Sequence, residues 1–430
     1  MKSEVAAEQL GHLGNYDNWD EVTSGLGDAV PIAEVFGMPE AHDNRPLYLD
    51  YNATTPMAPE VLEAMMPFLT YEFGNAHSRH HVYGTVVHDA VEKARGQVAS
   101  LINCTPEEII FTSGATESNN LALIGVMKAN ERKGKHLITV ATEHKAVLEP
   151  AEYLREEGFD VTVLPVQRSG LIRLDDLKNA IRPDTILVSV MIANNEIGVL
   201  QPVDEIGDVC REAGIYFHSD GAQAVGKIPV DVQKSKIDLL SISGHKFNGP
   251  KGIGALFVRR RKPRVKIKPL IRGGGHERGL RSGTLNSPGI VGLGAACRLA
   301  SETMHEKAEK KRALRNQLWE LLQEKIPGVE LNGCLEPRLP GNLNIRIPGV
   351  SAEALIYRLE GLAVSSGAAC STLEVVPSHV LVGLGLAGGP VDQSLRFSLP
   401  EESCLFQLDE IVGSLLNASA SVTDLMRHPT

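Results

Sequence analysis

Short apolar runs alternate with amphipathic stretches between residues 109 and 258. The runs fall at residues 109–111, 137–140, 161–166, 186–192, 215–218, 239–242 and 254–258. They are rich in Ile, Val, Leu and Phe, and each stops at small or polar residues, which predicts buried strands. Strands separated by helical stretches predict an α/β unit with a mostly parallel sheet flanked by helices. Polar residues collect where the runs end: Thr112-Ser113-Gly114, Glu143-His144, Asn194-Asn195, Asp220 and His245-Lys246. Open α/β sheets bind their ligands at such strand ends.

The pattern changes after Gly289. A long charged amphipathic stretch runs from about residue 291 to residue 325, with Glu302, Glu306 and Glu309 interleaved with Lys307, Lys310, Lys311 and Arg312. That spacing predicts a helix with a solvated face. Shorter elements and the small-residue segment Ser365-Ser366-Gly367-Ala368-Ala369-Cys370 follow, and predict a smaller α+β domain. A chain of 430 residues exceeds what one compact core usually takes. The expected division is an extension over residues 1–45, a large domain over residues 56–303, and a small domain from residues 46–55 and 304–430.

Composition narrows the function classes. Hydrophobic residues make up 43% and charged residues 22%, ordinary for a globular protein. The net charge of −10 argues against nucleic acid as a partner. No apolar run approaches the ~20 residues that span a bilayer. Residues 1–45 hold nine acids against Lys2 and Arg45, a formal −7. That segment predicts a solvated, flexible extension. It has neither the character of a transit peptide nor that of a secretory signal, which points to a cytoplasmic protein. The cysteines, at 104, 210, 297, 334, 370 and 404, form no Cys-x-x-Cys and no zinc spacing. They read as reduced thiols, one of them reactive.

The chemistry centres on Ser241-Ile242-Ser243-Gly244-His245-Lys246. A lysine just past a buried strand can form a Schiff base with an aldehyde cofactor, and the neighbouring hydroxyls and imidazole can hold a phosphate. About 25 residues upstream, Asp220 ends another run, and a carboxylate facing a pyridinium nitrogen is the usual partner of such a lysine. Together they point to pyridoxal phosphate. Thr112-Ser113-Gly114-Ala115-Thr116 opens a helix after a strand and offers free N–H groups to the phosphate. His144 is placed to stack on the pyridine face. Asn195 and Gln223 supply uncharged amides for the ring's 3-oxygen.

These motifs carry a resemblance. The chain resembles the NifS/IscS-like cysteine desulfurases, class V of the fold-type I pyridoxal-phosphate enzymes, from Tyr48-Leu49-Asp50-Tyr51-Asn52-Ala53-Thr54-Thr55-Pro56 to about Leu425. The matching motifs include Gly114-Ala115-Thr116-Glu117-Ser118, Glu143-His144-Lys145, Asn194-Asn195-Glu196-Ile197-Gly198, Ser243-Gly244-His245-Lys246, residues 273–284 and Leu395-Arg396-Phe397. The resemblance implies a seven-stranded large domain and a homodimer. It implies that Lys246 bonds to the cofactor, His144 stacks on the ring, Asp220 pairs with the ring nitrogen and Gln223 contacts the 3-oxygen. Thr116, Ser243 and His245 hold the phosphate, joined by Thr284 from the second subunit. Asn195 and Arg396 take the substrate carboxylate. Cys370, in a Gly/Ser-rich loop, is the nucleophile. The expected reaction turns L-cysteine into L-alanine and leaves a persulfide on Cys370 for an acceptor protein or thiol, in iron–sulfur or other sulfur-cofactor assembly. Selenocysteine lyase is the alternative, followed by a class V aminotransferase or a non-catalytic scaffold subunit.

Overall fold

The computed structural model describes residues 45–366, 377–386, 389–400 and 407–427. The acidic extension expected over residues 1–45 lies, up to Asn44, outside the described residues, as does Cys370. In chain order the strands are β1 (Leu47–Tyr48), β2 (Ile109–Thr112), β3 (His136–Val140), β4 (Asp160–Leu164), β5 (Thr185–Ser189), β6 (Tyr216–Asp220), β7 (Leu239–Ser243), β8 (Gly254–Val258), β9 (Glu330–Leu331), β10 (Asn342–Arg346), β11 (Leu362–Ala363) and β12 (Ser394–Ser398). The helices are α1 (Pro59–Leu69), α2 (Val82–Leu101), α3 (Ala115–Asn130), α4 (Lys145–Glu156), α5 (Leu174–Ala180), α6 (Val203–Ala213), α7 (Ser287–Lys325), α8 (Ala352–Arg358), α9 (His379–Gly383) and α10 (Leu408–Arg427).

A seven-stranded sheet runs in the order β2-β8-β7-β6-β5-β3-β4. Strands β7, β6, β5, β3 and β4 pair parallel, while β8 joins both β2 and β7 antiparallel. The seven apolar runs of the sequence are these seven strands. Residues 186–192 overshoot β5, which ends at Ser189, because the backbone beyond still bonds sideways: Val190 N–H donates to His218 O and Ile192 N–H to Asp220 O. Helices α2 and α7 pack against the sheet in one apolar cluster with Val87, Val91, Phe217, Ile242 and Leu293. A second cluster, with Leu121, Val126, Val147 and Leu154, puts α3 and α4 on Ile110, Leu187 and Leu239.

A separate cluster joins Leu49, Leu318, Leu343, Leu355, Phe397 and Leu415. Its three-stranded sheet has the antiparallel order β12-β10-β9. The predicted amphipathic helix is α7, 39 residues long, which contributes its first half to the large-sheet cluster and its second half to this one. Among the described residues no helix is long and apolar enough to cross a membrane.

One buried ion pair fixes the turn that precedes α7. Arg95 on α2 makes two hydrogen bonds of 2.8 Å to Glu277. Glu277 also accepts from Phe111 N–H at 2.8 Å, and the guanidinium lies 4.5 Å from the Phe111 ring centroid. Both side chains are buried. Glu277 and Arg278 have φ of 47° and 57°, the left-handed region that non-glycine residues rarely adopt, so the contacts must hold this turn. Glu277→Ala removes the two-pronged partner of the buried Arg95 charge and leaves only the half-exposed Glu92, 3.1 Å from Nε, to pair with it. It is expected to lower stability by about 3–5 kcal/mol, read from the urea midpoint; an unchanged midpoint would mean that Arg95 finds water or another partner.

Candidate active site

A cavity of about 760 Å³ opens at the carboxyl ends of β5, β6 and β7. Thr116, His144, Asn195, Asp220, Gln223, Ser243, His245, Lys246 and Arg396 all line it. The fold therefore brings together nine residues spread over 281 positions of sequence, from 116 to 396 counted inclusively. Thr284 is exposed and does not line this cavity. Cys370 lies outside the described residues, but Ser365 and Ser366, shortly before it, line the cavity.

Lys246 ends a single turn, Gly244–Lys246, that follows β7 directly. Its Nζ donates to Asn52 O and Ala53 O, each at 2.8 Å. Burial, and then the Arg396 charge, bring its amine down to about 8, against the opposing pull of Asp220 and Asp50. An amine so placed is neutral in a large fraction at mildly alkaline pH. His245 beside it is lowered to about 4 by burial and by Lys246, Lys251 and Lys227, so its imidazole is neutral. Its Nδ1 meets Thr54 Oγ1 at 3.0 Å.

Asp220 is the last residue of β6 and is 5% exposed. Asn119 Nδ2 donates to its Oδ2 at 2.6 Å and Ala222 N–H to its Oδ1 at 2.9 Å. His144 caps α4: its Nδ1 accepts from Ala146 N–H at 3.0 Å, which leaves the proton of the neutral ring on Nε2. Burial lowers the imidazole, with Asp220 opposing. Glu143, just before it, is fully buried, and burial followed by the Asp220 charge pushes its carboxyl well above the usual range.

Gly114 and the first turn of α3 line the same cavity. Gly114 has φ of 148°, and a Cβ placed on it meets open space, so only the backbone conformation demands glycine here. The 16-residue helix α3 begins at the next residue, with Thr116 in its first turn. Ser243 and His245 reach the same cavity from the β7 side.

Several lining residues carry no sequence-level assignment. Asp50 binds Arg396, and Asn52 is a hub. The Asn52 carbonyl accepts from Lys246 and from Gln223 Nε2 (2.8 Å), and its Nδ2 donates to Asn195 O at 3.1 Å. Gln223 thus gives one of its two N–H groups to Asn52, and its carbonyl accepts from Lys227 at 2.7 Å. Glu196, deeply buried, accepts from Ser378 Oγ, and burial lifts it to about 7 against the pull of Ser378, Arg396 and Lys145. Gly198 in the same motif has φ of 72°, and a Cβ there would meet Asn342 Oδ1 at 2.3 Å.

Residues 47–410 match the aminotransferase class V family model. The chain is 51% identical over 376 residues to a cysteine desulfurase IscS of Ehrlichia chaffeensis, covering 86% of this chain and 92% of that one. It is 50% identical over 399 residues to a mitochondrial cysteine desulfurase of Arthroderma benhamiae, covering 91% and 79%. A solved NifS-like protein superposes with a TM-score of 0.80 at 37% identity, over 86% of this chain and 98% of its own. A half-buried lysine, an aspartate at a strand end and a helix start at Gly114 thus line one cavity of a chain that belongs to the class V aminotransferase family and, within it, to the pyridoxal-phosphate-dependent cysteine desulfurases of the NifS/IscS type.

Proposed function

We propose that this enzyme converts L-cysteine to L-alanine and passes the sulfur through Cys370 as a persulfide to an acceptor, in iron–sulfur or other sulfur-cofactor assembly. The observation that carries the reading is the convergence of Lys246, Asp220 and Arg396 on one cavity. The cavity fits pyridoxal phosphate. Among the described residues Asn119 Oδ1 is buried without a partner next to Asp220, and the backbone at Gly114 leaves room for an anion. The bound cofactor supplies an electron sink for the substrate's Cα.

The chain's own residues have the following parts in this reading. Thr116, Ser243, His245 and the N–H groups of α3 hold the phosphate. Asp220, oriented by Asn119 and Ala222, keeps a proton at the pyridine nitrogen. His144 covers one face of the ring, and Gln223 faces its 3-oxygen. Asn195 and Arg396 take the substrate carboxylate. Lys246 moves the Cα proton, its lowered affinity for protons suiting it to both taking and giving one. The Cys370 thiolate bonds to the substrate sulfur, the Cβ–S bond breaks with its electron pair going to carbon, and protonation completes alanine.

The partners belong to the same proposal. Thr284 is exposed, which supports its service to the site of a second copy. Leu69, Tyr71, Phe73, Val82 and Tyr83 are exposed nearby, with the Phe73 and Tyr83 rings 5.5 Å apart. His77 meets His276 at 4.3 Å, so this apolar face and the loop leading to Thr284 are neighbours. A homodimer would cover that face. The four described cysteines are free thiols, which supports a reducing, cytoplasmic setting. The separate apolar clusters on the two halves of α7 support the division near Met304.

Purified holoenzyme given L-cysteine and a thiol is expected to release alanine and sulfide in equal amounts. Pyruvate formed without alanine, or a requirement for a keto acid, would overturn the reading in favour of elimination or amino transfer.

A further inference from the structure

We propose that Asp50 is a positioning residue of the substrate site: it fixes the Arg396 guanidinium so that the arginine grips the carboxylate of an α-amino acid. The inference rests on the reading that Arg396 takes that carboxylate.

The backbone brings the two residues together. Leu49 N–H donates to Ala363 O at 2.8 Å, which extends the β1–β11 pairing. Asp50 then bridges Ser398 in parallel, with Ser398 N–H on Leu49 O at 2.7 Å and Tyr51 N–H on Ser398 O at 3.2 Å. Ser398 and Arg396 are two positions apart on β12, so their side chains leave the same face, and a residue paired with Ser398 shares that face. Asp50 Oδ1 lies 2.6 Å from Arg396 Nη2, and both side chains are largely buried, at 19% and 7% exposure. Arg396 itself is held from behind by Ser365, whose carbonyl accepts its backbone N–H at 2.7 Å.

The guanidinium is thereby fixed on two sides. Asp50 takes Nη2, and the Asn195 carbonyl takes Nη1 at 3.0 Å. The group has five N–H donors in a planar fork, so these two contacts leave three free. One of them is known by its lack of any partner: Arg396 Nε is buried and unsatisfied among the described residues. A buried, unpaired guanidinium N–H is costly. A bound carboxylate removes that cost, and needs only two of the three remaining donors. Asp50 therefore need not leave when the substrate arrives. Its contact remains as the brace that sets the plane of the fork.

Asp50 also has a charge role. The Lys246 ammonium and Arg396 repel one another across the cavity, and Asp50 opposes that repulsion from the side of both. Without it the clamp would be a buried cation with backbone contacts only, free to swing toward other acceptors. The brace is selective for geometry rather than for sulfur, so it acts on any α-amino acid the site admits, product alanine included.

The test uses the holoenzyme and two readouts: steady-state kinetics with L-cysteine, and the equilibrium Kd of L-alanine followed through the absorbance of the bound cofactor. Asp50→Asn keeps the shape and removes the charge. It is expected to raise both KM and the alanine Kd by about tenfold, the loss of one charge-assisted contact, with the smaller change in kcat. Asp50→Glu is expected to recover part of both, which a general loss of folding would not do. Cofactor content and thermal midpoint equal to the wild type are expected for both variants. If Arg396→Ala raises KM and Kd while Asp50→Asn leaves them unchanged, the brace is refuted and the carboxylate clamp stands. If Arg396→Ala itself leaves KM and Kd unchanged, the clamp reading fails, and the proposal with it.

Discussion

Lys246→Ala is expected to lower turnover of L-cysteine by at least about 10³-fold, the scale of losing a positioned acid–base group. Cofactor is still expected to bind, because the backbone at Gly114 and the side chains of Thr116, Ser243 and His245 are untouched. Borohydride treatment should fix the cofactor to the wild-type chain at Lys246 and leave it removable from the variant. The amine titrates at about 8, a value lowered by burial first and by Arg396 second. A lysine with a lowered pKa is charged below that value and neutral above it, and only the neutral amine attacks an aldehyde. The rate of cofactor capture by the apoprotein should therefore rise with pH and level off above about 8. A rate that keeps climbing toward pH 10.5, or a covalent cofactor on Lys145, Lys227 or Lys251, would remove Lys246 from its assigned place.

Cys370→Ser is expected to abolish alanine formation while L-cysteine still binds, because Lys246, Asn195 and Arg396 remain. Brief exposure of the wild type to L-cysteine should add one sulfur, about 32 Da, to the peptide holding Cys370. Four of the other thiols are poorly suited to the task, and the fifth, Cys404, lies outside the described residues. Burial pushes Cys104, Cys210 and Cys297 far above the ordinary thiol range, and Cys334 upward as well. A thiol held protonated is a poor nucleophile. None of the four lines the cavity. Sulfur found on any of them, or normal desulfuration by Cys370→Ser, would break the mechanism. Comparing the variant on cysteine and selenocysteine separates the desulfurase reading from the lyase reading, since selenium leaves carbon more readily than sulfur does.

Much of the large sheet was legible because most of its strands are buried on both faces; the edge strand β4 is the exception, with Asp160 and Val163 exposed. Strands buried on both faces read as unbroken apolar runs, and each of the seven runs overlaps a strand. Lys246, Asp220 and His144 were legible because strand ends in an open α/β sheet are where ligands bind, and those residue types are rare there without a task. The hub at Asn52 was not. It acts through a backbone carbonyl, and a carbonyl has no residue type to read. The Asp50–Arg396 pair was hidden by distance, its partners lying 346 positions apart. The link that brings the pair together, the single bridge of Asp50 to Ser398 just past the two-residue β1, is too short to show any period. Gln223 shows a third limit. Its type marks it as an amide for the cofactor, but nothing in that type shows that one of its two N–H groups donates to Asn52 or that its carbonyl accepts from Lys227.

The long stretch of chain between Asp50 and Arg396 has a consequence for how the enzyme is made. Synthesis proceeds at about 5–20 residues per second, so Arg396 leaves the ribosome tens of seconds after Asp50. The sheet that carries Lys246 is complete at Val258, with roughly two fifths of the chain still to come. A nascent chain thus acquires the amine that meets the aldehyde well before it acquires the fork that selects an amino acid. Synthesis in that order finishes the strand ends that carry the lysine before the strand that carries the substrate's arginine exists, so a chain cut short before β12 lacks the door for substrate whatever else it has folded.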